Sequence, residues 1–201
     1  PKDSGVPDFE LPITVAVERA DGSWERRSGR LERDSLRLSF PLDSDVQQVV
    51  VDPDSVLPAR IELELGVDQL TRSLGHCPHV RGRLDAASAL GKKGSRAGMQ
   101  ALADAYASEP YWQVRGHFAS CLGGVQSSFA AELLAGLLSV ESEAPAMSGL
   151  LSACGQHRDP ALADAICAWL DAGERPYRAT GTALLALGKQ RDPRHEARLV
   201  E

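Results

Sequence analysis

Apolar residues alternate along the first third of the chain and recur at helical spacing along the rest. Leu11, Ile13, Val15 and Val17 take every second position, Asp21-Gly22 interrupts, and the pattern resumes at Trp24. Alternation broken by Asp-Gly predicts a β-hairpin. Leu36, Leu38 and Phe40 repeat the alternation, "VQQVVV" reads as a buried strand, and Ile61, Leu63 and Leu65 share one face. About five short strands follow, fewer than the roughly seven of an immunoglobulin-like sandwich. The opening "PKDSGVPD", rich in proline, is a poor source of the missing strands, so an antiparallel β-sandwich incomplete at its N-terminus is expected.

After Gly66 the period changes. Met99, Leu102, Ala103 and Tyr106, and later Leu162, Ala165, Ile166, Trp169 and Leu170, follow the spacing of helices with one buried face. The phrase "VRGRLDAASALG", ending at Gly91, returns as "WQVRGHFASCLG", "APAMSGLLSACG" and "YRATGTALLALG", so Gly91, Gly123, Gly155 and Gly188 recur every 32 or 33 residues. A period of that length in helical sequence predicts stacked two-helix units of HEAT type, since one pair cannot bury its apolar stripe alone. Pro78, Pro110 and Pro176 stand near the starts of second helices. The four glycines are expected to end those helices in the left-handed conformation, with the small residues before them letting adjacent units approach. The predicted organisation is therefore mixed: residues 1–66 a partial β-sandwich, residues 67–201 an α-α superhelix of HEAT-like repeats, with 192–201 as a polar cap.

Composition narrows the partners. A net charge of −6 over 201 residues offers no basic excess for a phosphate backbone, which argues against nucleic acid. No apolar run approaches the ~20 residues that span a bilayer, so no membrane partner is expected. Cys77, Cys121, Cys154 and Cys167 are widely spaced without a Cys-x-x-Cys pair, which argues against a structural zinc site, and Cys121, Cys154 and Cys167 lie within apolar helical patterns, which predicts reduced, buried thiols and a cytoplasmic setting.

Catalytic motifs are mostly incomplete. "HEARL" at 195–199 has leucine where a zinc-peptidase helix needs its second histidine, and "HCPH" at 76–79 has no matching ligand pair elsewhere. "LGKKGSRAG" lacks the residue order of a phosphate loop, and Gly-x-Ser-x-Gly is absent. No catalytic or metal-binding residue is assigned. Arg83 and Arg115 occupy equivalent places in two repeats, where an arginine serves either a polar ladder between units or a ligand's carboxylate. Tyr111 and Trp112 at a helix start are expected to be packed, with an exposed anchor as the other reading.

The order of "FELPITVAVERADG", "LRLSFPL" and "VVVDPDSVLPARIELE", running into "LTRSLGHCPHVRGRLDAASALGKKG", resembles the C-terminal part of zinc aminopeptidases of the aminopeptidase N family. That resemblance implies a catalytic domain upstream carrying zinc, with none bound by this segment. It implies that the sandwich supports the catalytic domain and that the repeats wall its cavity and control peptide entry. Arg81, Arg83 and Arg115 would then attract the carboxylate of a peptide substrate. Whether the parent is an active enzyme stays open, the alternative being a protein-interaction scaffold of the same architecture.

Overall fold

The computed structural model describes residues 11–31, 35–41, 46–59, 61–173 and 175–199. Eight helices form four hairpins: α1 Val67–His76 with α2 Val80–Lys93, α3 Arg96–Ser108 with α4 Trp112–Gly123, α5 Ser128–Val140 with α6 Ala144–Cys154, and α7 Pro160–Asp171 with α8 Tyr177–Gln190. First helices stack as α1, α3, α5, α7 and second helices as α2, α4, α6, α8. The result is a two-layer helical stack of HEAT-like form. A 3-10 helix, Pro193–Leu199, follows.

Helix starts repeat as the sequence does. Ser95, Ser127 and Asp159, 32 residues apart, cap α3, α5 and α7 with side-chain oxygens that accept from Gly98, Ala130 and Ala161 and Leu162 backbone N–H groups. Second helices open just after Pro78 and Pro110, or at Pro176 itself as N-cap. Between the layers lies one apolar core, with Leu70, Leu102, Phe118, Leu134, Leu150 and Ile166 fully buried.

The repeat glycines act differently from expectation. None of Gly91, Gly123, Gly155 and Gly188 has a positive φ; the left-handed caps are Gly94 after α2 and Arg191 after α8. Instead the glycines are seats. A Cβ added at Gly91 would lie 3.0 Å from Cys121 Cβ, one at Gly123 2.9 Å from the Ala153 carbonyl oxygen, and one at Gly155 3.1 Å from Ala186 Cα. Each of α2, α4 and α6 thus takes a small residue of the next second helix onto its glycine, which a side chain would prevent. The repeated phrase encodes close helix contact between units.

The expected β-sandwich is not present. Among the described residues three strands, β1 Leu11–Glu18, β2 Trp24–Leu31 and β3 Gln48–Val51, form one antiparallel sheet in the order β2-β1-β3. The Asp21-Gly22 hairpin is there, with Gly22 at φ 81° and its N–H bonded to the Arg19 carbonyl. Burial follows the end of β1 rather than one alternating face: Ala16 and Val50, paired across the sheet, pack with Cys77, Val17 is buried next to them, and Leu11 is exposed. Leu36 and Leu38 are not in a strand; they cover Gly29 of β2. Ile61, Leu63 and Leu65 run extended without a ladder, and Leu63 and Leu65 rest on the helical core. Alternation reports one buried face, and here helices rather than a second sheet bury it. The opening stretch on which the strand deficit was argued lies outside the described residues.

The sheet is fastened to α1 and α2. Gly82 of α2 sits where a Cβ would meet Cys77 Sγ at 2.6 Å and Val50 Cγ2 at 2.9 Å. Beside it, Gln48 donates to buried Glu18 at 2.7 Å and Arg72 of α1 reaches the same carboxylate at 3.4 Å. The "DPDS" turn is closed by Asp52, whose carboxylate accepts from the Val56 and Leu57 N–H groups, both at 2.9 Å.

Candidate functional site: a groove across the second helices

Residues of α4, α6 and α8 bound a groove of roughly 590 Å³ lined by Trp112, Pro145, Ser148, Ser152, Arg178 and Leu185, with Thr182 between them. Its lining is apolar and open: Trp112 is 40% exposed and Leu185 70%. Tyr111, next to Trp112, is 54% exposed, so these aromatics stand out as anchors rather than packing inward. Large apolar side chains at a surface mark recognition sites because covering them removes area from water. Among the described residues Arg178 has no ion-pair partner, and it is the lining's only charged side chain.

Leu185 could have been found from the repeats. Its equivalents in the three earlier copies are Ser88, Ser120 and Ser152, all exposed, and only the fourth copy places leucine there. Arg178 and Pro145 carried no comparable signal.

The arginines expected at a ligand are engaged inside the chain. Arg83 forks onto Glu109 at 2.7 and 3.2 Å and donates to the Cys77 carbonyl at 2.9 Å. Arg115, one repeat on, binds Glu141 at 2.9 Å, Glu143, and the Glu109 carbonyl at 2.9 Å. The same three-part arrangement recurs after 32 residues, tying each unit to the next. Arg81 pairs with Asp85 at 2.8 Å and with the Ala59 carbonyl at 2.9 Å. Burial pushes the Asp85 carboxyl up, against the pull of Arg81.

Two clusters with catalytic side chains are closed by their own geometry. Ser88 donates to the Leu84 carbonyl at 2.9 Å, and His117 Nε2 lies 3.2 Å from that carbonyl and 2.9 Å from Ser88 Oγ. A carbonyl only accepts, so this nitrogen carries the proton and cannot act as a base toward Ser88. Burial also holds the His117 imidazole below its usual range and raises the Cys121 thiol to about 11. At the far end His195 Nε2 meets Asp164 at 2.9 Å and Nδ1 faces Cys167 Sγ at 3.3 Å. Cys167 is only 6% exposed and burial raises its thiol, whereas reactive thiols are accessible and lowered. These contacts hold the 3-10 helix on α7. Among the described residues no group of three or more His, Cys, Asp or Glu side chains is placed to hold a metal ion, and no helix is long and apolar enough to cross a membrane. All four cysteines are free.

The class this geometry defines is a HEAT-like helical stack with a small sheet at one end. A solved structure of human deoxyhypusine hydroxylase in complex with glycerol has a similar fold, with a TM-score of 0.58 and 25% identity, over 68% of this chain. The match spans 47% of that hydroxylase chain, so this chain covers about half of the protein it resembles. No protein-family profile and no curated protein sequence matches. These findings correct the aminopeptidase N resemblance: the solved neighbour is a hydroxylase, and a single three-stranded sheet replaces the sandwich. The aminopeptidase-fragment reading and its cavity-wall role fall with it, and the interaction-scaffold alternative gains no clear support from the match. The segments that suggested them have local causes, an Asp-closed turn at "DPDS" and an extended run covering helices at "ARIELEL".

Proposed function

We propose that this chain is a HEAT-type binding module whose second-helix groove takes an extended segment of a partner protein bearing apolar side chains and a carboxylate. The groove lining carries this reading: aromatic, aliphatic and hydroxyl side chains with Arg178 as the lone charge, and no His, Cys, Asp or Glu to move a proton. Such a lining binds without reacting. Trp112 and Leu185 supply apolar area, Ser148, Ser152 and Thr182 supply hydrogen-bonding hydroxyls, and Arg178 offers a planar fork to a carboxylate. The net charge of −6 supports a protein partner over nucleic acid. The activity of deoxyhypusine hydroxylase is not carried over, because the groove has none of the acid, base or metal-ligating groups named above.

Selection from a random displayed-peptide library tests this directly. Recovered peptides should combine aromatic or aliphatic residues with Asp, Glu or a free C-terminus, and Trp112→Ala and Arg178→Glu should each weaken them by about tenfold or more. Recovery of no sequence above background, or peptides indifferent to both substitutions, would sink the proposal.

A further inference from the structure

Given that the groove is a peptide site, as proposed above, we infer that the segment it takes is proline-rich and crosses the second helices in polyproline II form, with its carboxylate on Arg178 and an apolar side chain against Trp112. Trp112, Pro145 and Arg178 lie in the first turns of α4, α6 and α8 and all three line the groove, so they form a row across the stack at one level. Packed helices lie ~8–10 Å apart. A polyproline II chain advances about 3.1 Å per residue with three residues per turn, so every third side chain faces the same way and falls roughly 9 Å further on. A β-strand repeats a face every ~6.7 Å and is out of step by the second helix. The row's exposure is not peculiar to the last hairpin: Gln113 and Pro145, the repeat equivalents of Arg178, are exposed although a further hairpin follows each.

Hydrogen-bonding capacity points the same way. Ser148 and Thr182 already donate to the Ala144 and Arg178 carbonyls of their own helices, at 3.2 and 3.0 Å. Among the described residues the Trp112 indole N–H, the Arg178 guanidinium and the Ser152 hydroxyl have no partner within the chain. The groups left free are thus two obligate donors and one hydroxyl, with no carboxylate or amide oxygen beside them. Polyproline II leaves its backbone carbonyls exposed, and proline adds no N–H that needs an acceptor. A strand brings N–H groups as well, and an α-helix keeps its carbonyls within itself. Trp112 and Pro145 offer flat apolar surfaces to pyrrolidine rings, and a segment that is already extended when free loses little entropy on docking. The single cation of the lining then selects a carboxylate at the α8 end.

A labelled synthetic peptide of Leu-Pro-Pro triplets with a free C-terminal carboxylate, titrated with the 201-residue chain by fluorescence anisotropy, gives the test. Its control replaces every proline by glycine, which keeps the leucine spacing and the charge but loses the conformation. The proline peptide should bind about tenfold or more tighter than the glycine peptide. Arg178→Glu should weaken it by about tenfold or more, and should matter much less once the peptide's terminus is amidated. Arg178 is exposed and outside the core, so this variant should melt with the parent. Equal binding of the two peptides overturns the polyproline II assignment and leaves the groove a peptide site. A proline peptide indifferent to Arg178→Glu overturns the assignment as well. If neither peptide binds, the assignment falls, and the displayed-library selection decides separately whether the groove reading falls with it.

Discussion

The helical stack and the sheet beside it are both stabilised by buried small residues and by arginine–carboxylate pairs, but they use them unequally. In the stack, Arg83 and Glu109 are nearly excluded from water, with side-chain exposures of 10% and 3%. On the sheet, Arg26 and Asp54 pair at 3.0 Å with exposures of 46% and 56%. Repetition explains the contrast. A contact that joins one unit to the next sits between layers and is buried on both sides, whereas a three-stranded sheet leaves most of one face in solvent. The same residue types therefore do structural work in one region and little in the other.

Arginine truncation would sharpen that contrast most. Arg83→Ala leaves the Glu109 carboxylate buried without its fork and should cost about 3–5 kcal/mol. Arg26→Ala should cost no more than ~1 kcal/mol. Urea unfolding of both variants decides it; equal losses would mean that burial does not separate the two pairs. Removing both Arg83 and Glu109 should cost less than the sum of the single losses, since no charge is then left stranded.

Glycine substitution tests the seams with a smaller expected effect. Gly123→Ala forces its methyl to 2.9 Å from the Ala153 carbonyl oxygen, a backbone atom that cannot swing away, and should destabilise by about 1–3 kcal/mol. Gly136→Ala, in α5 with nothing within 4 Å of the new Cβ, should stabilise by up to ~1 kcal/mol through helix propensity. Opposite signs in thermal melts are the prediction. If both variants gain stability, the close α4–α6 contact is not what the repeated glycine preserves.

The same contrast governs how much the sequence revealed. The stack was legible because four copies repeat one register, so chance resemblances cancel and the shared residues stand out. Even there the reason for the glycines was not readable: a C-terminal turn and a close seat both demand glycine, and only the 2.9–3.1 Å approaches at Gly123 and Gly155 separate them. In residues 11–65 each pattern occurs once. Leu36, Leu38, Ile61, Leu63 and Leu65 alternate because one side is covered, and period-two spacing cannot say whether a strand, a glycine backbone or a helix does the covering. Counting them as strands led to a sandwich and from there to the wrong family. The groove was half legible: Trp112 and Tyr111 were visible as candidates, while Arg178 gains meaning only from which of its neighbours lack a countercharge.

The smallest predicted effect concerns Glu141, where two units meet. Burial raises this carboxyl, but the Glu143 backbone N–H, the Tyr106 hydroxyl at 2.7 Å and Arg115 together outweigh it and hold the group below its ordinary value of 4.5. A depressed carboxylate pKa contributes stability that is present above the unfolded value and lost as pH falls through the folded one. Tyr106→Phe removes one of those donors and should cost about 1 kcal/mol at neutral pH. Because part of that difference depends on the ionised carboxylate, the gap between parent and variant should narrow as pH drops below the unfolded value of about 4.5. Chemical denaturation of both proteins from neutral to acid pH measures the gap. A gap that stays constant would mean that the Tyr106 hydroxyl contributes independently of the ionised carboxylate, and one that widens would reverse the sign argued from the hydrogen bonds.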